Sequence, residues 1–166
     1  MILGILKFAH VVLALVGLGA GVGLLWGMVS GGRIKRWAVP FLKFTLLASA
    51  TGILLSLHHP GLARWGAMLA IYVSGLAVLA LRKFRLAGIW APTFVLSLIS
   101  VLCLDFLVAV VHLFRFLSAY NLVPPERTSQ LLFFTASIVM LFFAALGIFA
   151  MRRYCNKPHS SLALYR

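Results

Sequence analysis

Residues 87–114 read AGIWAPTFVLSLISVLCLDFLVAVVHLF, twenty-eight positions with a single charge, Asp105. A helix crosses a hydrocarbon core with about 20 apolar residues. A helix apolar on every side has no face to offer water. The stretch therefore reads as a membrane-spanning helix, with Pro92 tolerated in its early turns.

Four further apolar runs share this character: about Ile2 to Val29, Trp37 to Leu57, Trp65 to Leu81, and Gln130 to Met151. Their separators are polar or helix-breaking. Gly31-Gly32 leads into Arg33-Ile34-Lys35-Arg36, and His58-His59-Pro60 ends the second run. Arg82-Lys83-Phe84-Arg85 follows the third, and Ser118–Ser129, with Pro124-Pro125, precedes the fifth. The 166 residues are 63% hydrophobic and 10% charged, with a mean hydropathy of +1.09. A soluble domain is about half apolar and about a quarter charged, and a small globule has too little interior to hide such an excess. The expected fold is all-α, a polytopic membrane helical bundle of five transmembrane helices. Residues 1–151 form one transmembrane bundle (spans about 2–29, 37–57, 65–81, 87–114 and 130–151), and residues 152–166 form a short basic tail. The apolar part of the opening MILGILKFAHVVLALVGLGAGVGLLWGMVS is longer than a signal-peptide core and reads as a retained first helix.

Lys and Arg number 15 against two acids, Asp105 and Glu126, for a net charge of +13. In a soluble chain this would suggest nucleic acid. Here the cations occupy short loops between apolar runs, so they read as topology signals and contacts for anionic lipid, with no nucleic-acid partner. Arg33, Lys35, Arg36, Arg82, Lys83, Arg85, Arg152, Arg153, Lys157 and Arg166 fall on one side of a five-span chain. Lys7, Arg64, Arg115 and Arg127 fall on the other, opposed by Glu126. Ten against four places the richer side in the cytoplasm of a bacterial inner membrane, with the N-terminus outside and the C-terminus inside. Trp26, Trp37, Trp90 and Tyr154 then line the inner interface, with Trp65 and Tyr120 at the outer, and Lys43 snorkels inward.

The chain lacks several familiar devices. Cys103 lies mid-span and Cys155 in the tail, so no disulfide framework is expected, and Cys155 with His159 is too few ligands for a metal site. No repeat is evident, which with an odd span count argues against a transporter of duplicated halves. No P-loop, HExxH or nucleophile elbow is present, so a self-contained hydrolase or nucleotide enzyme is not expected.

Two small-residue and histidine patterns remain. Gly19, Gly23 and Gly27 recur four apart in the first run, with Gly17 and Gly21 interleaved, which suits close helix packing or a flat ligand. His10, His59 and His112 lie on three spans, all toward the outer side. Histidines inside a span usually point at a partner, cofactor or pathway. His10 shares a stripe with Ala14, Gly17 and Gly21; His59 with Ser56, Gly52, Ala48 and Thr45; His112 with Asp105. Helix rise puts His10 and His112 at similar depths.

Imidazoles at one level beside small residues suit a b-type haem. His10 and His112 are the preferred axial pair, with His59 as the alternative ligand. Arg115 and Arg64 are placed to meet propionates. Asp105, the one acid within a span, is a proton-route or second-shell candidate, or else one interhelical hydrogen bond to Tyr72 or Ser74. As a class, this resembles small membrane-anchored b-type cytochromes. The expected role is a redox subunit of an electron-transfer complex, passing electrons between quinone and an exterior partner and packing with other membrane subunits. The competing reading is a cofactor-free accessory subunit whose histidines are packing groups. The polar loop Ser118–Ser129 is the expected exterior docking surface.

Overall fold

A computed structural model describes residues 2–30, 34–56, 62–120, 122 and 124–154. Among them are five helices: α1 (Ile2–Ser30), α2 (Ile34–Leu55), α3 (Leu62–Arg82), α4 (Trp90–Ala119) and α5 (Pro125–Tyr154). Each is long and apolar enough to cross a membrane. Successive helices pack on one another, and α4 also touches α1 and α2, which puts it at the centre of the bundle. Helices α1, α3 and α5 finish at one end, here the basic end, where Arg82, Lys83, Arg152 and Arg153 lie. His10 and His112 lie toward the opposite, histidine end.

The helix boundaries follow local chemistry. Pro92 is the third residue of α4, where its missing N–H would have had no intrahelical partner. Pro125 opens α5 with φ already set for a helix, and Thr128 bonds the Pro124 carbonyl through both its N–H (3.2 Å) and its hydroxyl (3.0 Å). Helix α5 therefore begins well before the apolar run does, and α4 continues past Phe114 to Ala119. The expected polar loop Ser118–Ser129 is largely helical, and only residues 120–124 connect the two helices.

The α3–α4 turn is tightly specified. Arg85 (φ 48°) and Leu86 (φ 58°) adopt left-handed backbone, at about 1–3 kcal/mol each. The return is the Leu86 side chain, 1% exposed, whose burial contributes about 1.5–3 kcal/mol. A backbone bond from Leu86 N–H to the Ala80 carbonyl (3.0 Å) holds it there. The Phe84 and Trp90 rings then stack across the turn at 3.7 Å, and the Lys83 ammonium lies 5.7 Å from the Phe84 centroid. These contacts offset the backbone cost.

Of the expected stripe on α1, Gly23 and Gly27 pack against α2 and Gly19 does not, while the interleaved Gly17 and Gly21 pack as well. Gly17 lies against Phe44 and Thr45, and Gly21 against Leu102 and Phe41. Gly23 and Gly27 face the Trp37 ring, which is thereby a packing partner as well as an interfacial aromatic. Gly19 meets nothing within 4 Å. The buried face runs through Gly17, Ala20, Gly21, Leu24 and Met28, because that stripe, not Gly19, turns toward α2 and α4.

The core is strongly one-ended. On α1 no described residue before Gly17 is buried; on α2 none after Ser49; on α3 none before Ala70. On α4 burial stops at Leu102, and on α5 it begins at Phe143. All of these limits leave the buried side chains in the half toward the basic end. There Leu24, Met28, Phe41, Phe94, Leu98 and Leu102 interlock. At the same end, Arg153 Nη1 donates to the Val29 carbonyl at 2.7 Å, capping the last turn of α1 with a cation from α5.

Candidate functional site

The boundary between the packed half and the open half is marked by a polar pair. Thr45 on α2, 2% exposed, donates its hydroxyl to Asp105 Oδ2 on α4 at 2.9 Å. Thr45 was not foreseen as the partner. Tyr72 is 66% exposed and projects off the bundle, while the fully buried Ser74 hydroxyl has no hydrogen-bond partner. The acid is thus satisfied by α2 rather than α3.

Seven residues beyond Thr45 on α2 lies Gly52, and seven beyond Asp105 on α4 lies His112. Both helices run toward the histidine end, so the two positions share one level, about 10.5 Å from the Thr45–Asp105 bond by helix rise. His10 of α1 reaches the same level, because its ring lies on Gly52. The depth match expected for His10 and His112 is present in the fold.

The hydrogen bonds of the two rings define their chemistry. His10 Nδ1 lies 3.0 Å from the Ala48 carbonyl and 3.0 Å from Thr51 Oγ1. A carbonyl only accepts, so Nδ1 carries the proton. Thr51 directs its own hydroxyl at the Leu47 and Ala48 carbonyls (3.0 and 2.9 Å), leaving its oxygen to accept from His10. His112 Nδ1 donates to the Val108 carbonyl one turn back, at 2.9 Å. In both rings Nδ1 is the proton-bearing nitrogen, so as a neutral imidazole each offers Nε2 as the ligating atom. Backbone engagement of Nδ1 is also how ligating histidines are oriented.

The surroundings differ between the two rings. His10 is half-buried against α2, and His112 is exposed on α4. Among the described residues, no three metal-capable side chains gather. His58 and His59 lie outside the described residues, as do Cys155 and His159. Arg115 is exposed one turn beyond His112. Arg64, in the first turn of α3 at the same end, has a buried Nε with no hydrogen-bond partner. The slots beside Gly17 and Gly21, expected to leave room for a flat ligand, are filled by Phe44, Leu102 and Phe41. What stays open is nearer the histidine end, where Ala14, Val108 and His112 are exposed.

The stripe Thr45–Ala48–Gly52–Ser56, read in the sequence as the face His59 shares, receives His10 from α1 at Ala48 and Gly52 and Asp105 from α4 at Thr45. Thr51 and the Ala48 carbonyl were missed. A threonine in an apolar helix one position off a small-residue stripe was the available signal for the first. A backbone acceptor leaves no signal in sequence. No known protein family, curated protein or solved structure matches the chain.

Proposed function

We propose that the chain is a multi-pass subunit of an electron-transfer complex in a bacterial inner membrane, N-terminus outside and C-terminus cytoplasmic, holding one haem b near its outer face. The observation that carries this reading is the pair of bare Nε2 atoms, His10 and His112, at one depth in the half of the bundle where side-chain packing has stopped. Two neutral imidazoles are the donor set of a low-spin b-type centre. The unpartnered Arg64 Nε and the exposed Arg115 supply cations at the same end for propionates, and His59 is the alternative ligand.

When bound, the haem would supply a one-electron couple, exchanging electrons with the quinol–quinone pair on one side and an exterior partner on the other. The residues of the chain fix its frame. Ala48 and Thr51 hold His10 in the ligating tautomer, and Val108 does so for His112. Thr45 keeps Asp105 oriented about two turns deeper, where the carboxyl can hold a proton close to the charge change. The test is the absorption spectrum of the purified, reduced protein. A sharp α-band, lost in His112→Ala and in His10→Ala or His59→Ala, supports the assignment. A folded, colourless, iron-free protein overturns it.

A second reading has its own support. His10 is fully hydrogen-bonded on α2 at Nδ1, and the Gly17 and Gly21 slots are already filled, as befits polar glue in a cofactor-free accessory subunit. The open half would then receive a neighbouring membrane subunit.

A further inference from the structure

Helices α3 and α5 both pack along α4 but hardly meet each other, and α4 floors a groove between them. The groove has a volume of about 830 Å³ and an almost wholly apolar wall that includes Leu69, Ser100, Cys103, Met140 and Gly147. Its one charged lining residue is Arg152, at the basic end.

We infer that this groove holds one anionic phospholipid of the cytoplasmic leaflet, its acyl chain along α4 and its phosphate on Arg152. This rests on the membrane orientation proposed above, but not on the haem. Dimensions agree: Met140 to Arg152 spans ~18 Å of helix, and one leaflet contributes about 15 Å of hydrocarbon. Charge is the stronger argument. The chain has only two acidic side chains. Asp105 is bonded to Thr45, and Glu126 opens α5 at the other end of the helix from Arg152. Among the described residues no acidic side chain lines the groove beside Arg152, so an anionic head group is the complementary charge for its guanidinium. An apolar channel ending in such a cation selects a ligand with a long hydrocarbon body and an anionic head. Anionic lipid is what the cytoplasmic leaflet supplies to basic residues. This is a defined site, distinct from the diffuse attraction that any basic loop exerts.

The test is native mass spectrometry of the full chain in detergent, titrated with dioleoylphosphatidylglycerol or dioleoylphosphatidylcholine. One phosphatidylglycerol should be retained at about a tenfold lower concentration than phosphatidylcholine. Arg152→Gln should abolish that preference, whereas Arg82→Gln, a neighbouring exposed cation outside the groove, should preserve it. A Cβ at Gly147 meets nothing within 4 Å, so Gly147→Leu should fold and fill the groove. Retention of both lipids should then fall. Equal losses in Arg152→Gln and Arg82→Gln would overturn the site in favour of diffuse attraction. A dimer that Gly147→Leu dissociates without changing lipid retention would overturn it in favour of a second copy in the groove. A protein that stays monodisperse without detergent would instead remove the membrane reading itself.

Discussion

The Cε1 atom of His10 stands 3.2 Å from the point a Cβ on Gly52 would occupy, so the imidazole of α1 rests on the bare backbone of α2. That contact, together with the two Nδ1 bonds, fixes where Nε2 points. Gly52→Ala asks the ring to give by a few tenths of an ångström, while Gly52→Val forces it away. Haem content per protein, read as the pyridine haemochrome, should fall modestly in the first and to the level of His10→Ala in the second. Gly66→Val on α3, where a Cβ meets nothing within 4 Å, should leave it unchanged. Full haem content in Gly52→Val would remove His10 as a ligand.

The Thr45–Asp105 bond joins α2 to α4 at the edge of the packed half. Thr45→Val deprives a part-buried carboxyl of its donor and should destabilise by about 1–3 kcal/mol. Asp105→Asn retains an acceptor and should cost less. In the cycle of wild type, Thr45→Val, Asp105→Leu and the double variant of these two, the effects should fall short of additive, since both substitutions remove one interaction. Thermal unfolding followed by size-exclusion chromatography measures all four states, and strict additivity would show that the bond contributes nothing.

Glycines on α1 should separate cleanly. A Cβ on Gly23 would lie 2.6 Å from the Trp37 ring, so Gly23→Ala should destabilise by about 1–3 kcal/mol as the indole is displaced. Gly19→Ala has open space and gains helix propensity, up to about 1 kcal/mol. The same unfolding assay distinguishes them, and equal responses would place both residues against lipid.

Orientation follows from the cations. Reporter fusions after Arg85 and after Tyr120 should report opposite sides, with Arg85 cytoplasmic. Identical readings would end the five-span topology.

Much of this architecture was legible in the sequence, because a chain that buries its hydrophobic surface in lipid must spend long uninterrupted runs to do so. The number of helices and the shared depth of His10 and His112 follow from run lengths and helix rise alone. The ends of α4 and α5 were less legible: Ser118, Thr128 and Ser129 look like loop residues until Pro125 and the Pro124 carbonyl are seen to organise a helical turn around them. Partners across helices were hardest. Which face of α1 meets α2 depends on rotation about the helix axis, and a stripe of glycines fits several rotations. The choice of Gly17 and Gly21 over Gly19 is made by Phe41, Phe44 and Leu102, residues far away in the chain. For the same reason, Asp105 found Thr45 instead of Ser74.

The bond from Arg153 to the Val29 carbonyl has a consequence for synthesis. Of these five helices α1 is made before the other four and α5 after them, and α5 otherwise packs along α4. The end of α1 therefore waits through the insertion of every other helix before its cap arrives. A stop codon just ahead of residue 153 would leave five helices nearly complete, yet its effect would be felt about 120 residues earlier in the chain, where the first helix would lose the guanidinium that holds its Val29 carbonyl.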